Sequence, residues 1–380
     1  GPAEVTTGFR LDQPRLALTD LSADVLGVVA EGDVTVDLET TLAEGRVAAR
    51  VADLQPLADY LDAPVTGEAE GVLDFAVEDS TQTVALDVTA GNVTAPDTRL
   101  DSLTVDATVR DALGSPSAEG RVLAEGVAAA GAEIGRLVLD GQASDLRDSP
   151  AADVTLEADD IAAAGASAGR VRGTAQVRDA LGDTTAEVVL TADDIAAAGA
   201  TVASVTTEAQ LRDLRGSPAA DVTFTANTIA AAGATVDSAR GEAQLTDLLD
   251  SPAVVASVTA ERVATGGATI ATVVADADLQ NLTGLPTGTA ALRMSDIASG
   301  GATIPQAQAD LRLDQAEGAL QAALDASVPT VALDGGRLGP VTLTANAADA
   351  LGGNPALDAR LDVVGGMVGT VEIAGAGLTA

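Results

Sequence analysis

The side chains in this sequence that could do chemistry are almost all carboxylates. Acidic residues stand side by side at Asp159-Asp160 and again at Asp193-Asp194, 34 residues further along the chain. Paired carboxylates can bind calcium or act together as general acid and general base. The chain has no Cys, no His and no Trp. Nucleophiles, bases and metal ligands built on thiols or imidazoles are therefore excluded.

The acidic pairs lack the sequence context that either kind of chemistry requires. Neither the glycine-rich calcium nonapeptide nor the ligand spacing of an EF-hand loop surrounds them. Acid–base catalysis also needs a pocket, which a regularly repeating chain does not obviously supply. We therefore predict that the protein is not an enzyme, that it holds no metal ion or cofactor, and that its acidic residues are mainly solvated surface.

The charge of the chain is strongly unbalanced. There are 57 acidic and 20 basic residues, which gives a net charge of −37, and every basic residue is an arginine. Nucleic acid is excluded as a partner because its phosphates bind clustered Lys and Arg. Apolar residues make up 47% of the chain, but only 1% of the chain is aromatic. Since aromatic side chains contribute most to compact cores, we predict an elongated architecture with a thin apolar layer.

A repeat of 34 residues organises the chain, and six consecutive blocks align without gaps. The phrases Ser-Pro and Ile-Ala-Ala-Ala-Gly-Ala recur at fixed positions within the blocks. The blocks begin at Leu103, Leu137, Val171, Val205, Ala239 and Val273. The predicted organisation is a tag-cleavage remnant at 1–2, divergent β-repeats at 3–102, six regular repeats at 103–306, and divergent β-repeats at 307–380 that continue the same architecture.

Within each block the hydrophobic period is two, which indicates strands rather than the helices of a tetratricopeptide repeat. Val154 and Leu156 alternate with Asp153 and Thr155, which places the two sets on opposite faces of a strand. The alternation changes phase before Ile161. A bulge or a bend there would return the apolar side chains to one face. The Ala-Ala-Gly and Asp-Leu-Arg-Asp-Ser-Pro stretches are predicted to be turns.

The predicted fold is therefore all-β: an elongated antiparallel meander with about two strands per repeat, one polar face and one apolar face. The apolar face must be covered or curled. We predict that the sheet curls into a U-shaped hydrophobic groove, a β-taco, with a closed β-solenoid as the alternative. Arginines on the polar face should pair with acidic residues across strands. These arginines are Arg136, Arg170, Arg178, Arg212 and Arg240.

Aliphatic residues of the apolar face line the predicted groove. Inward glycines such as Gly141, Gly173 and Gly241 are predicted to leave free volume beside them. A smooth aliphatic wall suits acyl chains, whose burial is worth roughly 0.8 kcal/mol per methylene. The predicted lipid-binding residues are Val105, Val109, Val122, Val127, Ile134, Leu137, Leu139, Val154, Leu156, Ile161, Val171, Val177, Val188, Leu190, Ile195, Val202, Val205, Leu211, Val222, Phe224, Ile229, Val236, Leu245, Val258, Val263, Ile270, Val273, Leu279, Leu292, Met294, Ile297 and Ile304.

Two stretches of the sequence resemble a known family. The stretch from Asp53 to Gly71 holds a Pro-Leu turn and a Pro-x-x-Gly phrase, and the stretch from Leu100 to Pro116 recurs in later copies. Both are similar to phrases of the TamB and AsmA-like proteins, and the resemblance extends over nearly the whole chain. It implies a periplasmic β-taco held to the inner membrane by an N-terminal helix, which has no counterpart in this sequence.

The resemblance also implies a function. It predicts that the chain is a middle portion of a conduit carrying phospholipid between the inner and outer membranes, with a TamA-like outer-membrane assembly barrel as a partner of the full-length protein. Two alternatives remain open. One is a scaffold for outer-membrane protein assembly that pairs strands at an exposed edge. The other is an extracellular structural or adhesin solenoid.

Overall fold

The computed structural model describes residues 4–56, 64–214, 216–316, 319–350, 356–368 and 370–379. Most of these residues lie in β-strands that pair antiparallel, which confirms the predicted all-β meander. The predicted tag remnant at 1–2 lies outside the described residues. No helix within the described part of the chain is long and apolar enough to cross a membrane. Two compact units divide the chain, Gly1–Ile195 and Ala196–Ala380.

The first unit is a meander in which each strand from β1 to β11 pairs antiparallel with the next. Its strands are β1 (Glu4–Asp12), β2 (Arg15–Val25), β3 (Val28–Asp37), β4 (Ala43–Val51), β5 (Thr66–Glu78), β6 (Thr81–Ala95), β7 (Thr98–Arg110), β8 (Ser117–Ala129), β9 (Ala132–Ser144), β10 (Ala151–Ala163), β11 (Ala166–Arg178) and most of β12 (Thr185–Ala197).

The second unit begins as the same kind of meander, from β13 to β19. These strands are β13 (Ala200–Arg212), β14 (Ala219–Ala231), β15 (Ala234–Thr246), β16 (Ala253–Thr265), β17 (Ala268–Gln280), β18 (Thr287–Ser299) and β19 (Ala302–Ala316). The later strands are β20 (Ala319–Val328), β21 (Val331–Leu333), β22 (Gly336–Leu338), β23 (Val341–Ala348), β24 (Ala356–Val363), β25 (Gly366–Val368), β26 (Val371–Ile373) and β27 (Ala376–Thr379). After β19 the pairing splits into two series, β20–β23–β24–β27 and β21–β22–β25–β26.

The regular strands are 13 residues long and repeat at the predicted period, two per repeat. At one end, two-residue turns such as Ala164-Gly165 join consecutive strands. Both residues have positive φ, 49° and 80°, as the type I′ hairpin turn requires. At the other end, six-residue loops such as 179–184 connect the strands. Both predicted turn sequences are confirmed.

Each six-residue loop begins with an acidic or amide residue, and in several loops the side chain of that residue is hydrogen-bonded within the loop. In the loop 111–116 the carboxylate of Asp111 accepts hydrogen bonds from the amides of Gly114 and Ser115, at 3.1 and 2.7 Å. Neighbouring loops are also joined by backbone hydrogen bonds. The amide of Ala180 donates to the carbonyl of Pro150 at 2.9 Å. The loops therefore form a stacked border along one edge of the first unit's sheet.

The change of phase before Ile161 is produced by a bend. Asp160 has a φ of 55°, a left-handed conformation in which Asp and Asn are enriched. The pairings on both sides of it, Asp159 with Arg170 and Ile161 with Ala168, keep one register, so neither strand gains an unmatched residue as it would in a bulge. Left-handed residues recur at this repeat position at Asn92, Gly126, Asp160 and Asp194 in the first unit, and at Thr228, Arg262 and Asp296 in the second.

In both units the apolar side chains lie on the concave side of this bend. The side chains of Asp159 and Asp160 lie on the convex side. Ala158, just before them, is only 4% exposed. Ala124 occupies the equivalent position in β8 and is also 4% exposed, while Ala226 in the second unit is 6% exposed. Each strand is therefore a longer and a shorter arm meeting at a buried corner. A closed solenoid would bury large apolar side chains completely, and among the described residues none is.

Gln82 is a buried polar residue near the start of β6, just after the short connection from β5. Its side chain is 5% exposed in total, and it donates to the carbonyls of Ala43, Ala76 and Thr83 and accepts from the amide of Ala43. Gln82→Ala should lower the free energy of unfolding by about 1–3 kcal/mol, because it leaves buried backbone groups without partners. Urea denaturation measures this loss.

The matched control for Gln82 is Gln142→Ala. Gln142 lies exposed on the polar face, and its replacement should change stability by no more than about 0.5 kcal/mol. If the two variants unfold at the same urea concentration, the side-chain hydrogen bonds of Gln82 contribute nothing to the fold.

Candidate functional site

Strand register aligns the apolar side chains of neighbouring strands. Leu156 of β10 lies opposite Leu139 of β9 on one side and Gly173 of β11 on the other. Val122 in turn lies opposite Leu139 and Val105. Because residues opposite each other in an antiparallel pair point to the same side of the sheet, these residues form one row. We call the side that carries such rows the apolar face, and the other side the polar face.

All predicted lipid-binding residues lie on this face in their respective units. Those from Val105 to Ile195 belong to the first unit, and those from Val202 to Ile304 to the second, as the register and the bend together require. Without the bend, Ile161 would face the opposite side from Leu156. The structure therefore brings together the residues that the sequence selected, although their binding of lipid stays a prediction.

The apolar face also contains residues that are not among the predicted lipid-binding residues. In the first unit Leu73 lies opposite Leu86 and Phe75 lies opposite Val84. In the second unit Leu311 lies opposite Leu324, and Leu343 opposite Leu361. These strands lie in the divergent repeats, where the 34-residue alignment is loose. Their two-residue alternation alone was sufficient to find them.

No acidic residue and no arginine occupies the apolar face within the described strands. The polar side chains found there include Thr7, Gln82, Thr98, Thr207, Thr265, Ser299 and Gln315. In a chain with a net charge of −37, the charged residues are thus confined to the polar face, the bend and the connections. The apolar face is an uncharged surface along each unit.

The apolar face is only partly shielded from water. Leu190 is 40% exposed and Leu73 is 37% exposed. The predicted free volume beside inward glycines is wrong at two positions. A Cβ atom at Gly173 would come within 2.5 Å of Leu190 Cδ2, and one at Gly241 within 2.6 Å of Phe224 Cε1. Large side chains of the neighbouring strand fill these gaps, so the face is more even than its sequence suggests.

On the polar face the arginines pair with acidic residues across strands, as predicted. Arg170 Nε lies 2.6 Å from Asp159 Oδ1, and Arg136 approaches the same carboxylate at 3.9 Å. The other three arginines of the prediction also pair: Arg178 with Asp153, Arg212 with Asp221, and Arg240 with Glu261. All are solvent-exposed, so each contributes little to stability.

The polar face shows the electrostatic effects expected of exposed ion pairs and little else. A hydrogen bond from Arg110 lowers the pKa of the Glu119 carboxyl below its usual value. A shallow depression of about 680 Å³ crosses this face and is lined by Asp106, Arg121 and Asp140 among others. Within the described residues, no three acidic side chains are grouped so that they could hold a metal ion.

Comparison of the chain with models of protein families, with characterised proteins and with solved structures gives no match. The function is therefore inferred from the geometry of the two units and from the sequence. The similarity to TamB and AsmA-like proteins stays a prediction.

Proposed function

We propose that this protein is a non-enzymatic lipid conduit. Its apolar face binds phospholipid acyl chains, and the chains pass along the repeats. The resemblance to TamB-like proteins supports a periplasmic location for this activity, between the inner and outer membranes. In the full-length protein an inner-membrane anchor and an outer-membrane assembly barrel would complete the path.

The main support is the uncharged apolar face of a highly charged chain. Charge is excluded from one side of the described strands, yet side chains on that side such as Leu190 are still 40% exposed. An apolar ligand would cover this remaining surface. Acyl chains gain roughly 0.8 kcal/mol for each methylene removed from water. The rows present mostly aliphatic side chains from strand to strand, with glycines such as Gly173 and Gly241 between them. A chain moving along such rows meets no large energy barrier.

The proposal is tested by identifying what occupies the apolar face in cells. A photo-crosslinking residue at position 156 should capture phospholipid, whereas one at position 155, on the polar face, should not. Native mass spectrometry with lipid extraction should find phospholipid bound to the purified protein. A protein free of lipid, with no crosslink at position 156, would contradict the conduit and leave the scaffold and the adhesin.

A further inference from the structure

The stacked loop border of the first unit is interrupted at one hairpin. Strands β5 and β6 are joined by the tight turn Asp79-Ser80, whose residues have φ values of 49° and 65°. The neighbouring connections on this edge are longer, at 38–42 and 111–116. The short turn leaves a gap of about 520 Å³ between the two longer loops. We call this gap the notch.

The notch meets the end of the apolar face. Val77 and Gln82 are opposite each other in β5 and β6, one pair beyond Phe75 and Val84 on the same side of the sheet. Both Val77 and Gln82 also line the notch. The bonds from Gln82 to Ala43 hold β6 to β4 across the end of β5, so the base of the notch is fixed. Val77 and Gln82 therefore border both the notch and the last row of the apolar face, while Arg15 and Glu44 line the notch from the polar side of the sheet.

The lining of the notch is amphiphilic and carries both signs of charge. Arg15 contributes a guanidinium, while Asp37, Glu44 and Asp111 contribute carboxylates. Hydroxyl groups come from Thr40 and Thr41 of the connection 38–42 and from Ser80 of the tight turn. Leu113 adds an apolar wall and is 51% exposed. A guanidinium suits a phosphate, and carboxylates suit an ammonium group.

We propose that the notch is a side entrance to the apolar face, which holds the zwitterionic phosphate–ammonium head of a phospholipid while its acyl chains pass onto the rows beyond Val77. This inference rests on the proposed function. A purely anionic head fits less well, because carboxylates outnumber the single guanidinium around the notch. The remaining loops of the regular repeats stack on one another and offer less room for a headgroup.

The test fills the notch without changing the apolar face. Leu113→Trp places a larger side chain in the opening, and Leu181→Trp makes the same change at the equivalent position of the loop 179–184, where the exposed fraction is 54%. The rate of uptake of fluorescent phosphatidylcholine from vesicles is measured for each. We expect Leu113→Trp to slow uptake about tenfold, the effect of a barrier raised by ~1.4 kcal/mol, and Leu181→Trp to leave it unchanged.

A second variant closes the notch with backbone. Replacing Asp79-Ser80 by the six residues of the loop 145–150 restores a continuous border, and it should slow uptake at least as much. Uptake of phosphatidylglycerol should be slower than that of phosphatidylcholine in the unaltered protein. Unchanged uptake in both variants, with lipid still crosslinked at position 156, overturns the entrance and leaves the conduit standing. Absence of uptake in the unaltered protein overturns the conduit itself.

Discussion

Aspartate in place of Leu156, Leu190 and Phe224 should abolish lipid occupancy while the strands stay folded. Each of these residues lies on the apolar face, and a carboxylate against an acyl chain would lose its hydration without gaining a partner. In the lipid-free protein the same carboxylate reaches water, since Leu190 is already 40% exposed. The lost burial costs only about 1–2 kcal/mol per site. Lipid extraction measures occupancy, and far-UV circular dichroism measures strand content.

The control for this prediction changes the same strand on its other face. Val189→Asp introduces the same charge next to position 190, but on the polar side, and Thr155→Asp does so next to position 156. Both variants should retain lipid. Loss of strand content in the Leu190→Asp variant would mean that this side chain is structural core, and the conduit would lose its main support.

Asp160→Val should destabilise the protein by about 1–3 kcal/mol, whereas Asp160→Gly should not. Asp160 has a φ of 55°, and a β-branched side chain is strained in that conformation. Glycine adopts it freely, and Gly126 occupies the equivalent position in β8 with a φ of 62°. Urea denaturation gives the change in stability, and amide hydrogen exchange in β9, β10 and β11 shows whether the loss is local.

Thr155→Val is the matched control for the bend. It introduces the same side chain into the same strand at a position with ordinary extended backbone, so its effect should stay within about 0.5 kcal/mol. If Asp160→Val is as stable as the unaltered protein, the conformation of this residue does not set the corner.

The regular repeats were predictable because their pattern is local. The alternation around Leu156 specified strands, and the phase change before Ile161 specified a break that puts Ile161 on the same side as Leu156. A left-handed residue and an extra, unpaired residue both return the following apolar side chains to the same face of the sheet. The sequence alone could therefore not distinguish a bend from a bulge. Only the register of Asp159 with Arg170 decides between them.

Other features depend on contacts between distant residues and leave no local signal. Leu190 fills the space over Gly173 because the register places one opposite the other, which no inspection of β11 alone could show. Gln82 is buried through bonds to Ala43, 39 residues earlier. The notch arises where a divergent repeat has a short turn between two longer loops, and the loose alignment in that region hid the difference.

A left-handed residue stands at the same position in each of the regular repeats. The bend within a strand and the number of strands are therefore specified independently. The corner is set within each strand, whereas the number of strands is set by how many times the 34-residue unit has been copied. Duplicating one repeat would add two strands, or about 9–10 Å across the strands, and would leave the angle between the two arms untouched. A gene of this kind can therefore be lengthened or shortened by whole copies, and the sheet of its product gains or loses strands without any new sequence having to be selected.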